Sequence, residues 1–153
     1  MALDETNPFA APSTLPLAFP PFDAIRPEHY RPAFDAGVAE HLAEIDAIAA
    51  DAAPATFENT IEALERSGLL LDRTLRVFHE MANSMGTPEL QALEAELMPA
   101  YSSHSDAVLL NAALFARVDA VHAGRHEAPL TEEQRRPGRS RCGTARRAGA
   151  APR

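Results

Sequence analysis

The stretch at residues 56–82, TFENTIEALERSGLLLDRTLRVFHEMA, decides the fold class. Its apolar residues recur at alternating spacings of four and three, the repeat of an α-helix that carries a continuous apolar face. These residues are Phe57, Ile61, Leu64, Gly68, Leu71, Leu75, Phe78 and Ala82. With Thr56 as its N-cap, the stretch predicts one long helix buried on two sides. A glycine inside a helix costs about 1 kcal/mol relative to alanine, so we predict a close helix crossing at Gly68 that offsets this cost.

Three further helices flank this one. The first begins near Pro27 or Pro32 and ends at DAAP, residues 51–54, after apolar residues at helical spacing. Thr87 is the N-cap of the next, with a proline at its first helical position, and Asn111 is the N-cap of the last. No segment shows the period-two alternation of a strand. We therefore predict an all-α fold, an antiparallel bundle of about four helices.

The helices occupy the middle of three predicted regions, residues 27–134. Residues 1–26 are predicted to form an extended lead-in, because proline fixes φ and disfavours helix before it. We expect the isolated apolar residues of the lead-in to lie against a surface. They are Phe9, Leu15, Leu17, Phe19 and Phe22. Residues 131–134, TEEQ, have the form of a capping box that opens a fifth helix, but the residues that follow cannot continue it.

The charge distribution breaks near residue 135, where the third region begins. The chain has 153 residues and a net charge of −8, yet all 22 acidic residues lie at or before Glu133. Residues 135–153 contain seven arginines and no Leu, Ile, Val, Met or aromatic residue, so we predict that they are disordered. GC-rich DNA read out of frame encodes Arg, Ala, Gly and Pro. We interpret this tail as the product of an altered reading frame that truncates the protein.

Composition excludes several classes of protein. With 46% apolar and 24% charged residues, the chain is neither collagen-like nor generally disordered. No apolar run approaches the ~20 residues that span a bilayer, and the acidic start has no apolar core of a secretion signal. A single cysteine, Cys142, cannot form a disulfide framework. We expect a cytoplasmic protein that does not contact membranes.

Residues 79–83, HEMAN, come within one residue of a zinc-peptidase pattern. That pattern needs two histidines at positions i and i+4 of a helix, with a glutamate directly after the first. Asn83 stands where the second histidine belongs, and asparagine is a poor zinc ligand. We therefore predict no metal site here and interpret His79 as a residue at the polar edge of its helix.

The other candidate residues favour structural roles. His122 and His126 are also four apart, but no carboxylate lies at ligand spacing, so we predict that they face solvent. His29 and His104 are predicted to be partly buried. Ser67 lies inside a predicted helix and does not belong to a serine-hydrolase motif. The sequence assigns no catalytic residue and no metal ligand, and it leaves any substrate-binding residue unknown.

The arginines of residues 135–153 could bind nucleic acid, because clustered arginine has affinity for phosphate. No aromatic residues are interleaved with them, and the chain before them carries a net charge of −15. We therefore predict no nucleic-acid partner.

Eight blocks of the sequence resemble the N-terminal region of bacterial peptidyl-dipeptidases in the M3 (thimet oligopeptidase) family of zinc metallopeptidases. The blocks follow the same order without large gaps, from about residue 7 to 134. They are NPF at 7–9, STLP at 13–16, FDAI at 22–25, HYRPAFD at 29–35, FENTI at 57–61, ALERSG at 63–68, ELQ at 89–91 and LFARVDAV at 114–121. The oligopeptidase A subgroup is the alternative within the family.

The resemblance implies an all-α, two-lobed enzyme whose channel closes over short oligopeptides and releases dipeptides from their free C-terminus. It also implies zinc, held in the C-terminal half by an HExxH helix and a downstream glutamate. The glutamate of HExxH would activate zinc-bound water for attack on the peptide carbonyl. No HExxH occurs in this sequence, so no catalytic or metal residue is carried over and no zinc is expected in this chain.

Two functions remain open at this point. The first is an N-terminal fragment of a zinc-dependent peptidyl-dipeptidase, inactive by itself, with the missing C-terminal catalytic region as a candidate partner. The alternative is a stand-alone helical module that binds a protein or peptide. Whether the chain is an enzyme at all stays uncertain. A fragment that normally packs against a missing lobe is expected to expose an apolar face.

Overall fold

A computed structural model describes residues 3–124 of the chain, and within them the backbone forms helices and no strand. The helices are α1 (Pro27–Ala50), α2 (Ala63–Arg66), α3 (Leu69–Met85), α4 (Pro88–Leu109) and α5 (Ala112–Gly124), with a 3₁₀ turn at Pro16–Ala18 and a π-helical segment at Phe57–Glu62. The predicted all-α fold is confirmed, and α1, α3, α4 and α5 are the four long helices of this part of the chain. The predicted helix start at 131–134 and the tail at 135–153 lie outside the described residues, and the division into three regions stays a prediction.

The helix starts follow the predicted caps. Thr56 Oγ1 accepts a hydrogen bond from Asn59 N at 3.2 Å, and Asn59 Oδ1 accepts one from Thr56 N at 2.8 Å. These reciprocal bonds satisfy two backbone amides that no helical carbonyl can reach. Thr87 Oγ1 and Asn111 Oδ1 each accept a bond from the amide three residues later, at 3.3 and 2.9 Å.

The predicted single helix at residues 57–82 is wrong, because the backbone breaks at Ser67 and Gly68. Ser67 is extended, with φ −80° and ψ 155°, and its Oγ donates to Leu64 O at 2.8 Å. Gly68 is left-handed, with φ 71°, a conformation that side chains with a Cβ disfavour. The four-and-three spacing survives the break because residues on both sides of it are buried, so the spacing alone does not reveal it.

The close helix approach lies at Gly37 and not, as predicted, between helix backbones at Gly68. A Cβ at Gly37 on α1 would lie 2.8 Å from Leu71 N and 2.9 Å from Leu71 Cα on α3. Only a residue without a side chain lets two helix backbones approach this closely. At Gly68 a Cβ would meet the ring of His41, at 2.9 Å.

The described residues form two compact units. The first contains residues 3–41 and Gly68–Ser103. Its core combines buried apolar side chains of the lead-in, α1, α3 and α4, among which a fully buried Leu, Ile, Val or Phe is worth roughly 1.5–3 kcal/mol. These side chains are Phe9, Ile25, Tyr30, Ala33, Phe34, Leu70, Leu71, Leu75, Val77, Phe78, Leu90 and Leu97.

The second unit contains Leu42–Ser67 and residues 104–124. Its core is built from the end of α1, the π-helical segment, α2 and α5. The buried members are Ile45, Ile48, Ile61, Leu64, Leu114, Phe115 and Val118. Each unit therefore has an apolar core of its own.

Candidate functional site

The start of the lead-in is held on the first unit by Asn7. This side chain is 8% exposed, and its Nδ2 donates to His29 O at 3.0 Å while its Oδ1 accepts from Phe9 N at 3.0 Å. Arg73 Nε on α3 donates to Phe9 O at 2.9 Å. Because a buried amide is destabilising unless it is hydrogen-bonded, these contacts hold residues 7–9 in one position.

An aromatic cluster continues inward from this anchor. The ring centroid of Phe9 lies 5.4 Å from that of Tyr30, and Tyr30 meets Phe78 at 5.2 Å in an edge-to-face arrangement. The prediction that the lead-in lies against a surface is confirmed at Phe9. Burial raises the pKa of Tyr30 to about 12, because the phenolate would lose its hydration. The phenol therefore keeps its proton to a higher pH than a tyrosine in water does. We interpret the cluster as a packing element.

A second part of the lead-in, residues 13–19, is not packed, and we call it the apolar loop. Leu15, Leu17 and Phe19 are 44%, 101% and 60% exposed, so the expectation that they lie against a surface is wrong within this structure. Ser13 closes the loop on itself, since its Oγ donates to Phe19 O at 2.6 Å and accepts from Leu15 N at 3.2 Å. Sequence reasoning did not separate these exposed residues from the buried Phe9, because no periodicity distinguishes them.

The HEMAN segment, residues 79–83, lies on α3. His79 is half-buried, with its ring 6.0 Å from that of Phe78, while the Glu80 carboxylate accepts from Ser84 Oγ at 3.3 Å and Asn83 is exposed. Within residues 3–124, no group of three or more His, Cys, Asp and Glu side chains is placed to hold a metal ion. The residues present do not fit the zinc that the M3 resemblance implies, and we assign no catalytic step to them.

The other histidines are dispersed over the two units. His29 Nδ1 accepts from Arg26 N at 3.0 Å at the start of α1, and its side chain is partly buried as predicted. His104 on α4 is 5% exposed and lies in the second unit. His122 on α5 is half-buried, which corrects the prediction that it faces solvent, and His126 lies outside the described residues.

One polar contact within the second unit was not predicted from the sequence. Arg117 on α5 is 10% exposed at its side chain, and its Nη1 donates to Asp51 O at 2.5 Å and to Ala53 O at 3.0 Å. Its Nη2 donates to Asp51 Oδ2 at 3.1 Å. The sequence signal was an arginine within the apolar run of α5, but its partners are 64 and 66 residues away. Arg117 therefore holds the turn that follows α1.

No single helix within residues 3–124 has the length and apolar character needed to cross a membrane. The pair of α4 and α5, bent by 54° at the break between them, meets that criterion jointly by length and composition.

Comparison with known proteins points to one group of peptidases. Over 131 residues, 86% of this chain, the sequence is 45% identical to a dipeptidyl carboxypeptidase of Salmonella typhimurium, strain LT2. Over 127 residues, 83% of this chain, it is also 45% identical to a dipeptidyl carboxypeptidase of Escherichia coli, strain K12. The chain is homologous to the dipeptidyl carboxypeptidases. The resemblance of the sequence to the peptidyl-dipeptidases of the M3 family is thereby confirmed.

The homology covers only part of dipeptidyl carboxypeptidase. The chain spans 19% of the length of each of these two relatives. Oligopeptidase A of Salmonella typhimurium is 28% identical over 131 residues, again 86% of this chain and 19% of the relative. No family model matches the chain. At equal coverage of this chain, the similarity to dipeptidyl carboxypeptidase is stronger than the similarity to oligopeptidase A.

Proposed function

We propose that the chain supplies the N-terminal helical region of a zinc-dependent peptidyl-dipeptidase and is inactive without the rest of that enzyme. The 45% identity to dipeptidyl carboxypeptidase over 86% of the chain carries this proposal. The identity to oligopeptidase A is lower, 28% over the same share of the chain. The difference favours a peptidyl-dipeptidase, which releases dipeptides, over an oligopeptidase A. The substrates would be oligopeptides with a free C-terminus.

Inactivity follows from the chemistry that peptide hydrolysis requires. A zinc peptidase needs three protein ligands and a general base that activates the metal-bound water. The 153 residues contain no HExxH, and in the segment that comes nearest to it the Glu80 carboxylate accepts a hydrogen bond from Ser84. The chain's own contribution is therefore structural, as helices that help to wall the substrate channel.

A pair of assays tests the two halves of the proposal. In the first, the purified chain is incubated with zinc and a peptide blocked at its N-terminus, with the Escherichia coli dipeptidyl carboxypeptidase as positive control. We expect no dipeptide from the chain. Zinc-dependent release that persists through repeated purification would contradict the inactivity.

In the second assay, residues 1–134 of this chain replace the homologous fifth of the Escherichia coli enzyme. We expect the chimera to fold and to release dipeptides from the C-terminus of the same blocked peptide. A folded chimera that releases no dipeptide, or that cleaves only at internal bonds, would contradict the assignment to a peptidyl-dipeptidase.

The alternative of a stand-alone binding module is favoured by one observation, the three exposed side chains of the apolar loop. Solution behaviour distinguishes the two functions. A monomer that unfolds cooperatively and does not bind a hydrophobic dye would favour the module. Dye binding with loss of near-UV circular dichroism would favour a fragment that lacks its partner surface.

A further inference from the structure

The apolar loop exposes its largest side chains although the chain has apolar cores in which to bury such groups. Leu17 is 101% exposed, so no part of the described chain shields it, and Phe19 is 60% exposed. Phe19 is steadied by Phe22, with ring centroids 5.5 Å apart in an edge-to-face arrangement. Leu17 and Phe19 are therefore exposed at the surface of the described chain, and the ring of Phe19 is held by its contact with Phe22. Single exposed apolar residues are common, but clustered ones mark interaction sites.

The backbone at the tip of the loop is strained. Leu17 has φ 59° and Ala18 has φ 54°, in the left-handed region that residues with a Cβ disfavour. Ala18 N donates to Leu15 O at 2.9 Å, which closes a turn whose second central residue is Leu17. Glycine or asparagine usually fills a turn position with positive φ. Leucine therefore makes this turn less stable than glycine or asparagine would. Its side chain does not offset that cost by packing against any of the described residues.

The charge pattern around the loop fits an apolar partner surface. Residues 6–22 are 17 consecutive residues without Asp, Glu, Arg, Lys or His, in a chain that is 24% charged. The centres of protein interfaces are depleted in charge and enriched in aromatic side chains. The apolar loop, residues 13–19, lies entirely within this uncharged stretch.

The geometry points to one occupant. We infer that the apolar loop inserts Leu17 and Phe19 into an apolar recess on the part of the peptidase that lies beyond the homologous fifth. This inference rests on the proposed function. About four-fifths of the length of each of the two relatives that share 45% identity with this chain lies outside the match, and that part supplies a large surface of the same protein. The chain's own residues 135–153 contain no Leu, Ile, Val, Met or aromatic residue, so they offer no large apolar side chain to the loop.

The test compares two substitutions in two settings. Leu17→Asn introduces a residue that tolerates positive φ and removes the apolar side chain. Met85→Gln is the matched control, because Met85 is 62% exposed and belongs to the same unit, at the end of α3. Both changes are made in the 153-residue chain and in the chimera in which residues 1–134 of this chain replace the homologous fifth of the Escherichia coli enzyme. Thermal unfolding and dipeptide release are measured for all variants.

We expect Leu17→Asn to leave the Tm of the isolated chain unchanged or slightly raised, and to lower that of the chimera by about 2 °C or more. Met85→Gln is expected to have little effect in either setting. Equal shifts for the two variants in the chimera would overturn the docking. A self-association of the isolated chain that Leu17→Asn abolishes would also overturn it, because the occupant would then be a second copy.

Thiol labelling gives a readout that does not depend on stability. The isolated chain carries Cys142→Ser, so that residue 17 is its one thiol. A Leu17→Cys thiol is expected to react with a maleimide about tenfold more slowly in the chimera than in this chain. The corresponding Met85→Cys thiol is expected to react equally fast in both. Equal rates for Leu17→Cys in the two settings would overturn the inference. A chimera that fails to release dipeptides contradicts the proposed function itself, whereas an active chimera with an accessible residue 17 contradicts only the docking.

Discussion

Gly37 of α1 and Leu71 of α3 lie so close that a Cβ on Gly37 would stand 2.8 Å from the backbone nitrogen of Leu71. The atoms in the way belong to the backbone of a helix, which cannot rotate aside as a side chain can. The first unit therefore depends on the absence of a side chain at Gly37.

Gly37→Ala is expected to destabilise the chain by about 1–2 kcal/mol, because an overpacking cost of up to about 3 kcal/mol outweighs the roughly 1 kcal/mol that alanine gains in a helix. The measurement is urea denaturation followed by circular dichroism. Gly124→Ala is the control, since a Cβ there would meet nothing within 4 Å, and its midpoint is expected to stay close to that of the unchanged chain. A Gly37→Ala chain as stable as this control would contradict the close approach.

Gly68→Ala is expected to cost about 2 kcal/mol for two separable reasons, its positive φ and the ring of His41. A double-mutant cycle with His41→Ala distinguishes them. In the His41→Ala background the steric part of the penalty is relieved and the backbone part remains, so the cost of Gly68→Ala is expected to fall without vanishing. Strict additivity of the two changes would show that the ring does not limit residue 68.

Arg117→Met is expected to destabilise the chain by about 2 kcal/mol, because it removes three hydrogen bonds from a side chain that is 10% exposed. Arg66→Met serves as the control. Arg66 pairs with Glu62 on the surface, where its side chain is 74% exposed, and such pairs contribute little. Denaturant midpoints of the two variants that shift by the same amount would argue against the role of Arg117 in holding the turn after α1.

Stability is expected to fall between pH 10 and 12 because of Tyr30. The folded state raises the pKa of Tyr30 from 10.0 to about 12, so the protonated phenol stabilises the fold below pH 10. Above pH 10 the unfolded chain ionises first, and about 2 kcal/mol is lost as the pH approaches 12. The chain has two tyrosines and no lysine, so few other groups titrate in this range.

The measurement is the urea midpoint at pH 9, 10 and 11. Tyr30→Phe is expected to remove most of the decline, while Tyr101→Phe is expected to leave it in place. If the decline persisted in Tyr30→Phe and disappeared in Tyr101→Phe, the assignment to the buried phenol would be wrong.

The helical class and most helix starts could be predicted because their causes are local. Thr56, Thr87 and Asn111 cap helices through bonds to amides only three residues away. The break at Gly68 could not be predicted from spacing, because the apolar residues on its two sides keep the same repeat. The ring of His41, which a Cβ at Gly68 would meet, belongs to a residue 27 positions away.

The features of the candidate site also fall into those that the sequence predicts and those that it does not. That residues 79–83 lack a second histidine is plain from the letters alone, and so is the absence of HExxH. The sequence led to the same prediction, packing against a surface, for all five apolar residues of the lead-in. In the structure Phe9 is 3% exposed and Leu17 is 101% exposed, because Asn7 and Arg73 hold one part of the lead-in while Ser13 closes the other on itself.

The sequence by itself determined the all-α class, the caps and the kinship with M3 peptidases, since each depends on residue identity and short spacing. Only the tertiary structure decided which glycine carries the close helix approach, which arginine is buried and which apolar residues remain outside. Those outcomes depend on contacts between residues tens of positions apart, whose geometry no local pattern encodes. The exposed Leu17 is the clearest instance, because its exposure reflects what the rest of the described chain leaves uncovered.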